Sequence, residues 1–189
     1  LDTVDNALQT MEDTEDLRDV MKVCIERSYS MSRFITNFAD VVKIPEPQTE
    51  EVCLNDRVIA CKRFMENVCQ NRNISLRLEL CEENPVVNID TSLFEQVIIN
   101  IIKNSAESIG EAGEIIIRTS ASPSMLEIGD TGQGISKDVE AKLFSPFFST
   151  KPNGQGIGLI FIREVLMKHH CTFSLRTYPD GITRSRICF

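Results

Sequence analysis

Phe94-Glu-Gln-Val-Ile-Ile-Asn-Ile-Ile-Lys-Asn-Ser-Ala-Glu-Ser-Ile109 is the stretch that decides the fold, because its apolar residues recur every three or four positions. Asp90 precedes it and can cap a helix, so we place the helix from Thr91 to about Ile109. The apolar residues form one broad face, which we expect to pack on a sheet. They are Phe94, Val97, Ile98, Ile101, Ile102 and Ile109.

Two asparagines stand out inside this isoleucine-rich helix, because asparagine is a mediocre helix former. Asn100 and Asn104 are four residues apart, so their side chains project from the same side of the helix. Amide oxygens can ligate a hard cation such as Mg²⁺, which also binds waters and phosphate oxygens. The alternative is a solvated polar edge that holds no ligand.

The segments around this helix alternate between strand and helix patterns. Asn55 can cap a helix that runs to about Asn71, and residues 158–169 have the pattern of a further helix. The predicted strands are residues 51–54, 74–80, 115–120, 125–128, 172–177 and 183–189. This order predicts an α+β fold, a two-layer α/β sandwich in which helices cover one face of a mixed sheet, preceded by an α-helical hairpin.

The first 43 residues have the pattern of that hairpin. Its second helix has a heptad seam, which is typical of a coiled coil or a four-helix bundle. The seam consists of Leu17, Met21, Cys24, Ser28, Met31, Ile35, Phe38 and Val42. A homodimer would complete such a bundle; the alternative is that the seam packs on the rest of the chain. Pro45 and Pro47 end the helix, so we place the hairpin at 1–43, a linker at 44–50 and a second domain at 51–189.

Composition and charge exclude several classes of function. The chain has 189 residues and a net charge of −8, which argues against nucleic acid as a partner. No apolar run approaches the roughly 18 residues of a membrane span, so we expect no membrane contact. The chain opens at Leu1 without Met, so we expect a piece of a longer protein. Its 7 cysteines form no C-x-x-C pair, which predicts free thiols in a reducing, cytoplasmic compartment.

A first glycine cluster follows the strand that ends at Asp130. Gly132 and Gly134 lie in the turn that comes next, where glycine lets the backbone approach a ligand closely. The Asp130 carboxylate could accept a hydrogen bond from the exocyclic amine of adenine. Guanine presents an acceptor there and would be repelled. The alternative is an ordinary turn.

A second cluster, Gly154, Gly156 and Gly158, follows Lys151 and leads into the helix at 158–169. Backbone N–H groups at a helix start favour phosphate, and the Lys151 ammonium adds a positive charge. The motif G-x-x-x-x-G-K-[ST] does not occur, which excludes a P-loop. A Pro-rich loop, rather than a strand, precedes the glycines, which argues against a dinucleotide-binding Rossmann unit.

Together these segments resemble the ATP-binding domain of sensor histidine kinases, in the superfamily that also holds gyrase, heat-shock chaperone and mismatch-repair ATPases. Four boxes occur in the family's order within residues 49–189: the N box at 94–109, the G1 box at 130–134, the F box at 144–151 and the G2 box at 154–158. The resemblance implies ATP and Mg²⁺ as cofactors, and a short lid between the G1 and G2 boxes.

The resemblance also implies the roles of individual residues. Asn104 and Asn100 would hold the metal and, with Lys151, form the catalytic set. The nucleotide would be bound by Asn104, Asp130, Gly132, Gly134, Ile135, Lys151, Gly154, Gly156, Gly158, Leu159 and Thr183. The family usually has His-Gly-Gly after the G2 helix, where this chain has His169-His170-Cys171. His169 matches the family's structural histidine, and the missing glycines are the residues that most readily adopt positive φ.

The resemblance favours a kinase over an ATPase. The general-base glutamate of the ATPases falls at Asn100, which cannot take a proton. An upstream histidine on the dimerisation helix would accept the γ-phosphoryl group and relay it to a response-regulator receiver domain. No histidine precedes His169, so we expect this chain to bind ATP·Mg²⁺ without phosphorylating itself. The alternatives are an ATPase of the same superfamily and a catalytically inert nucleotide-binding module.

Overall fold

The computed structural model describes residues 14–42, 44–145, 148–151, 154 and 156–189. It divides the chain after Lys43 into two compact units. The first helix of the predicted hairpin lies outside the described residues, as do Phe147 of the F box and Gln155 of the G2 box. Within the described part of the chain, we find no helix with both the length and the apolar character that a bilayer crossing requires.

The first unit contributes one long helix, α1, over Thr14–Val42. It coincides with the predicted second helix of the hairpin. Its seam residues Met21, Met31 and Ile35 are exposed. Exposed apolar side chains at heptad spacing are the surface that packing against another helix would bury.

The second unit contains the sheet, and its described residues form seven strands and four helices. In chain order they are β1 (Glu50–Cys53), α2 (Leu54–Gln70), β2 (Ile74–Glu79), β3 (Val86–Ile89), α3 (Thr91–Ile109), β4 (Gly113–Ala121), β5 (Ser124–Asp130), α4 (Lys137–Glu140), α5 (Gly158–Lys168), β6 (Thr172–Thr177) and β7 (Thr183–Cys188). Five strands form one sheet in the order β2-β4-β5-β7-β6, with β2 parallel to β4 and the other neighbours antiparallel. Strands β1 and β3 form a separate antiparallel pair.

Helices α2, α3 and α5 pack on one face of this sheet, which confirms the predicted two-layer α+β sandwich. The apolar face of α3 meets alternate residues of β4 and β5, because side chains along a strand point to opposite faces. The largest fully buried side chains of this layer are Phe94, Ile98 and Ile102 from the helix and Ile115, Ile117, Leu126 and Ile128 from the strands.

The opposite face of the sheet is charged. Glu127 is nearly buried there, and three arginines surround its carboxylate: Arg118 at 3.1 Å, Arg184 at 3.5 Å and Arg186 at 2.6 Å. The guanidinium groups of Arg184 and Arg186 also lie 4.7 and 4.8 Å from the ring centre of Tyr178. Ion pairs and cation–π contacts therefore satisfy the charges on this face.

Asn55 is not the helix cap that we expect from the sequence. Helix α2 begins at Leu54 with Cys53 as its N-cap residue, two residues earlier than expected, and Asn55 is buried within its first turn. Its Nδ2 donates to the carbonyl of Cys81 at 3.0 Å, and its Oδ1 accepts from Thr119 Oγ1 at 2.7 Å. The side chain thus joins the helix to neighbouring backbone and strand instead of binding its own first turn.

Two short elements of the structure were not predicted from the sequence. Strand β3 has only four residues directly after Pro85, and α4 is a single turn. Segments of this length show too little periodicity to be recognised.

The segment before β1 is part of the second unit. Ile44 packs on the core, and the Gln48 N–H donates to Oδ2 of Asp90 at 2.9 Å. Asp90 caps α3 as predicted, because its Oδ1 accepts from the Leu93 N–H at 3.0 Å. Burial alone would raise the pKa of Asp90, but the backbone hydrogen bonds from Leu93 and Gln48 lower it.

The histidine pair closes the C-terminal end of α5. His169 is buried, with Nε2 accepting from the Asp90 N–H at 3.0 Å and Nδ1 donating to the Val165 carbonyl at 2.7 Å. His170 adopts φ +57°, the left-handed conformation that glycine usually supplies. The Cys171 N–H donates a hydrogen bond to the Leu166 carbonyl, and the His170 N–H donates one to the Met167 carbonyl, as in a Schellman motif.

Replacing His170 with glycine is expected to raise the free energy of unfolding by about 1 kcal/mol. A β-carbon in the left-handed region costs roughly 1–2 kcal/mol, and the greater freedom of glycine in the unfolded chain offsets part of that gain. Urea unfolding followed by circular dichroism measures the difference. His170→Ala keeps the β-carbon and is the control, so an equal gain in that variant would contradict the explanation.

Candidate functional site

The site is built around Asp130, the last residue of β5, whose residue surface is only 5% exposed. Its Oδ2 accepts a hydrogen bond from Ser105 Oγ at 2.9 Å, and its Oδ1 accepts from the Gly132 N–H at 3.0 Å. Burial raises the pKa of Asp130. The hydrogen bonds from Gly132 and Ser105, and the charge of Lys151, act in the opposite direction.

Thr183 lies beside Asp130 on the neighbouring strand β7, in direct register with it. It is buried, and its Oγ1 lies 2.9 Å from Oγ1 of Thr177 on β6. The Thr177 hydroxyl also accepts from the Ile135 N–H at 2.7 Å. Thr177 thus joins the G1 loop to the closing strands, a role that the sequence analysis missed.

The turn after Asp130 packs closely on α3, which explains one of its glycines. A β-carbon at Gly132 would lie 2.3 Å from Ser108 Oγ, so only glycine fits there. Gly134 has φ +77°, a conformation that other residues adopt only under strain. The loop backbone therefore runs directly over the helix that bears the two asparagines.

Lys151 reaches the same helix from the F box. Its Nζ lies 3.4 Å from Oδ1 of Asn104 and 2.5 Å from Oε2 of Glu107. The sequence predicts that Lys151 and Asn104 share one site, but it assigns no role there to Glu107. Asn100 lies one turn earlier on α3 and is half-buried.

The start of α5 lies next to Asn104. A β-carbon at Gly158, the first residue of α5, would lie 4.0 Å from Asn104 Nδ2. The N-cap residue is Ile157, whose side chain makes no capping hydrogen bond, and Leu159 packs on the core. Without a capping side chain, the N–H groups of the first turn can bind an anion.

Two further glycines shape the approach to α5. Gly156 has φ +66°, which favours glycine. A β-carbon at Gly154 would clash with the Ser149 side chain at 1.8 Å. Gly154 and Gly156 thus both have steric reasons to be glycine.

The candidate site has two ends, one at Asp130 and one at Lys151, and each end contacts α3. Ser105 bonds Asp130 at one end, and its neighbour Asn104 contacts Lys151 at the other. The described residues contain no group of three or more His, Cys, Asp or Glu side chains that could hold a metal ion. A hard cation would fit here only if a ligand shared it, through the oxygens of Asn104 and the phosphates of a nucleotide.

Comparison with known proteins agrees with this geometry. Residues 89–189 match the family described as "Histidine kinase-, DNA gyrase B-, and HSP90-like ATPase". The chain is 27% identical over 165 residues to the signal transduction histidine-protein kinase AtoS of Escherichia coli (strain K12), covering 86% of this chain and 27% of AtoS. The chain therefore spans about a quarter of that relative's length.

Two solved structures are similar as well. The catalytic domain of the histidine kinase ThkA, in a nucleotide-free form, has a TM-score of 0.68 at 25% identity, over 75% of this chain and 95% of that one. ThkA in complex with the response regulator TrrA has a TM-score of 0.73 at 21% identity, over 98% of this chain and 55% of that one. The family match covers the N, G1, F and G2 boxes, so the chain belongs to the histidine kinase-, DNA gyrase B- and HSP90-like ATPase family, as an ATP-binding domain of the bacterial sensor kinase type.

Proposed function

We propose that this domain binds ATP·Mg²⁺ and presents the γ-phosphoryl group to a histidine on the dimerisation helix of its parent kinase. The observation that supports this most strongly is the pair of adjacent residues on α3. Ser105 bonds the base-reading acid Asp130, while Asn104 contacts the phosphate-side Lys151. One helix thus spaces the two recognition ends for a single nucleotide.

Recognition at the base end follows from hydrogen-bond chemistry. The Asp130 carboxylate accepts from the exocyclic amine of adenine, while Gly132 and Ser105 hold its oxygens in place. Guanine offers a carbonyl oxygen at that position, and two acceptors repel each other. Thr183, beside Asp130 and bonded to Thr177, can complete the contact with the base edge.

Recognition at the phosphate end depends on charge and on backbone N–H groups. The first turn of α5 binds phosphate oxygens, and the Lys151 ammonium supplies a positive charge next to them. Asn104 and Asn100 would hold Mg²⁺, which supplies charge neutralisation to the transferring phosphoryl group. Gly154 and Gly156 let the backbone of the lid approach the phosphates.

The side chains near the phosphate end favour transfer of the γ-phosphoryl group to an external acceptor over attack by water. Asn100 stands at the ATPase base position, and its amide cannot accept a proton. The Glu107 carboxylate already accepts a hydrogen bond from the Lys151 ammonium, so this oxygen is not free to take a proton from water. A histidine from the parent's dimerisation helix would supply the nucleophile, and a receiver-domain aspartate would then accept the phosphoryl group. The ThkA–TrrA complex supports a response regulator as partner.

The heptad seam of α1 supports a homodimer of the parent protein through its helical hairpin. Its exposed apolar residues are the surface that such a bundle would bury. The domain division is then a dimerisation segment at 1–43, a linker at 44–50 and an ATP-binding domain at 51–189. We place the parent's site of action in the cytoplasm, where ATP and response regulators meet.

The unaltered chain is expected to bind the non-hydrolysable analogue AMP-PNP with Mg²⁺ and to bind GMP-PNP at least tenfold more weakly, by calorimetric titration. With ATP it should release little phosphate and form no acid-labile phosphohistidine, because the accepting histidine is not in this chain. Rapid phosphate release would favour the superfamily ATPase. Failure to bind either nucleotide would favour the inert module and refute the proposal.

A further inference from the structure

We propose that Glu107 is a second protein ligand of the divalent cation, together with Asn104, and that Lys151 and the cation compete for the same two oxygens. This inference rests on the proposed ATP·Mg²⁺ site. It adds a carboxylate to which the family resemblance assigns no role.

The observation is a three-part contact at the phosphate end. Nζ of Lys151 lies between Oδ1 of Asn104 at 3.4 Å and Oε2 of Glu107 at 2.5 Å. Asn104 and Glu107 are three residues apart on α3, so their side chains project from the same side. One amide oxygen and one carboxylate oxygen thus converge on a single positive charge.

This donor pair suits a hard divalent cation better than asparagine alone. Mg²⁺ in nucleotide sites is usually bound by one or two carboxylates together with phosphate oxygens and waters. The amides of Asn104 and Asn100 are neutral, so they leave the cation's charge to be balanced by the phosphates. Glu107 supplies the missing carboxylate, whereas Asp130 is buried at the base end and already bonded to Ser105 and Gly132.

The same geometry makes Lys151 and the cation mutually exclusive between these oxygens. The Lys151 ammonium neutralises Glu107 and contacts Oδ1 of Asn104. A cation held by Asn104 and Glu107 would displace Lys151 from both oxygens and leave its ammonium available to the phosphates. Cation binding and the placement of the lid lysine are therefore coupled through Glu107.

The test counts bound cation without requiring catalysis. Mn²⁺ replaces Mg²⁺, and the electron paramagnetic resonance signal of free Mn²⁺ is followed during titration of the full chain saturated with AMP-PNP. Glu107→Gln is expected to raise the dissociation constant of Mn²⁺ by roughly tenfold or more. Glu107→Asp keeps the carboxylate and should recover part of the affinity.

Glu95→Gln is the matched control. Glu95 lies on the same helix and pairs with Arg57 at 3.4 Å, and its side chain is 33% exposed against 31% for Glu107. The substitution removes the same charge and also one ion pair, but far from the site. Its Mn²⁺ affinity should equal that of the unaltered chain.

Three results would overturn the inference. Unchanged Mn²⁺ affinity in Glu107→Gln would show that this carboxylate does not bind the cation. Equal weakening of AMP-PNP binding with Mn²⁺ and in EDTA would show that Glu107 only positions Lys151. If the unaltered chain binds no AMP-PNP, the proposed function fails as well, which distinguishes that case from the first two.

Discussion

Asp130→Asn is expected to weaken the binding of AMP-PNP by roughly 100-fold or more, about 2.7 kcal/mol. Asparagine keeps the shape of the side chain, but it can turn an amide N–H₂ group toward the exocyclic amine of adenine. Two donors would then face each other in a buried position, where each loses a hydrogen bond to water. Calorimetric titration at neutral pH with Mg²⁺ measures the loss.

Asp138→Asn is the control for that substitution. Asp138 is an exposed carboxylate in α4, so its replacement changes the net charge equally without reaching the base end of the site. Its affinity for AMP-PNP should stay within twofold of the unaltered chain. Equal losses in both variants would mean that overall charge, rather than base recognition, controls binding.

Asp130→Asn should also raise the free energy of unfolding. Burial raises the pKa of Asp130 in the folded chain, so folding disfavours the ionised form. A neutral asparagine avoids this cost at pH 7. The difference in unfolding free energy between Asp130→Asn and the unaltered chain should increase as the pH rises above the ordinary pKa of aspartate. It should stay constant above the raised pKa of Asp130. A variant less stable than the parent at pH 7 would contradict this account.

Phe94→Ala is expected to lower the free energy of unfolding by about 3–5 kcal/mol, which is a large part of the stability of an ordinary domain. The Phe94 ring is fully buried between α3 and the sheet, and its centre lies 5.4 Å from the ring of Phe189. Truncation removes this contact and leaves a cavity at the centre of the two-layer core. Urea unfolding of the full chain measures the effect.

Phe64→Ala provides the comparison, because the Phe64 residue surface on α2 is 69% exposed. Its replacement should change the unfolding free energy by no more than about 0.5 kcal/mol. A comparable loss in both variants would show that aromatic content, rather than burial against the sheet, determines the effect. Because α3 also bears Asn104 and Ser105, we expect Phe94→Ala to weaken nucleotide binding in parallel.

Local patterns predicted most of the secondary structure. The periodicity of α3 and its Asp90 cap placed that helix correctly, and strand alternation located β2 and β4–β7. Asn55 was misplaced because a capping residue and a buried asparagine look alike in a sequence. Its actual partners are Cys81 and Thr119, 26 and 64 residues away.

The residues that the sequence analysis missed at the site all act through distant partners. Ser105 binds Asp130 from 25 residues away, Thr177 accepts from Ile135 across 42, and Glu107 pairs with Lys151 across 44. None of the three belongs to a short motif with its partner. Alternation along β6 could have placed Thr177 on the core face, but not beside the G1 loop.

The sequence by itself therefore determined the fold class, the order of the elements and the segments that carry the candidate site. Apolar periodicity records which face of each helix or strand is buried, and glycine spacing records where the backbone must turn. Only the tertiary structure decided that Asp130 is buried beside Ser105 and that Lys151 rests on Asn104 and Glu107. Those contacts depend on how helices and strands pack, because the residues that make them lie far apart along the chain.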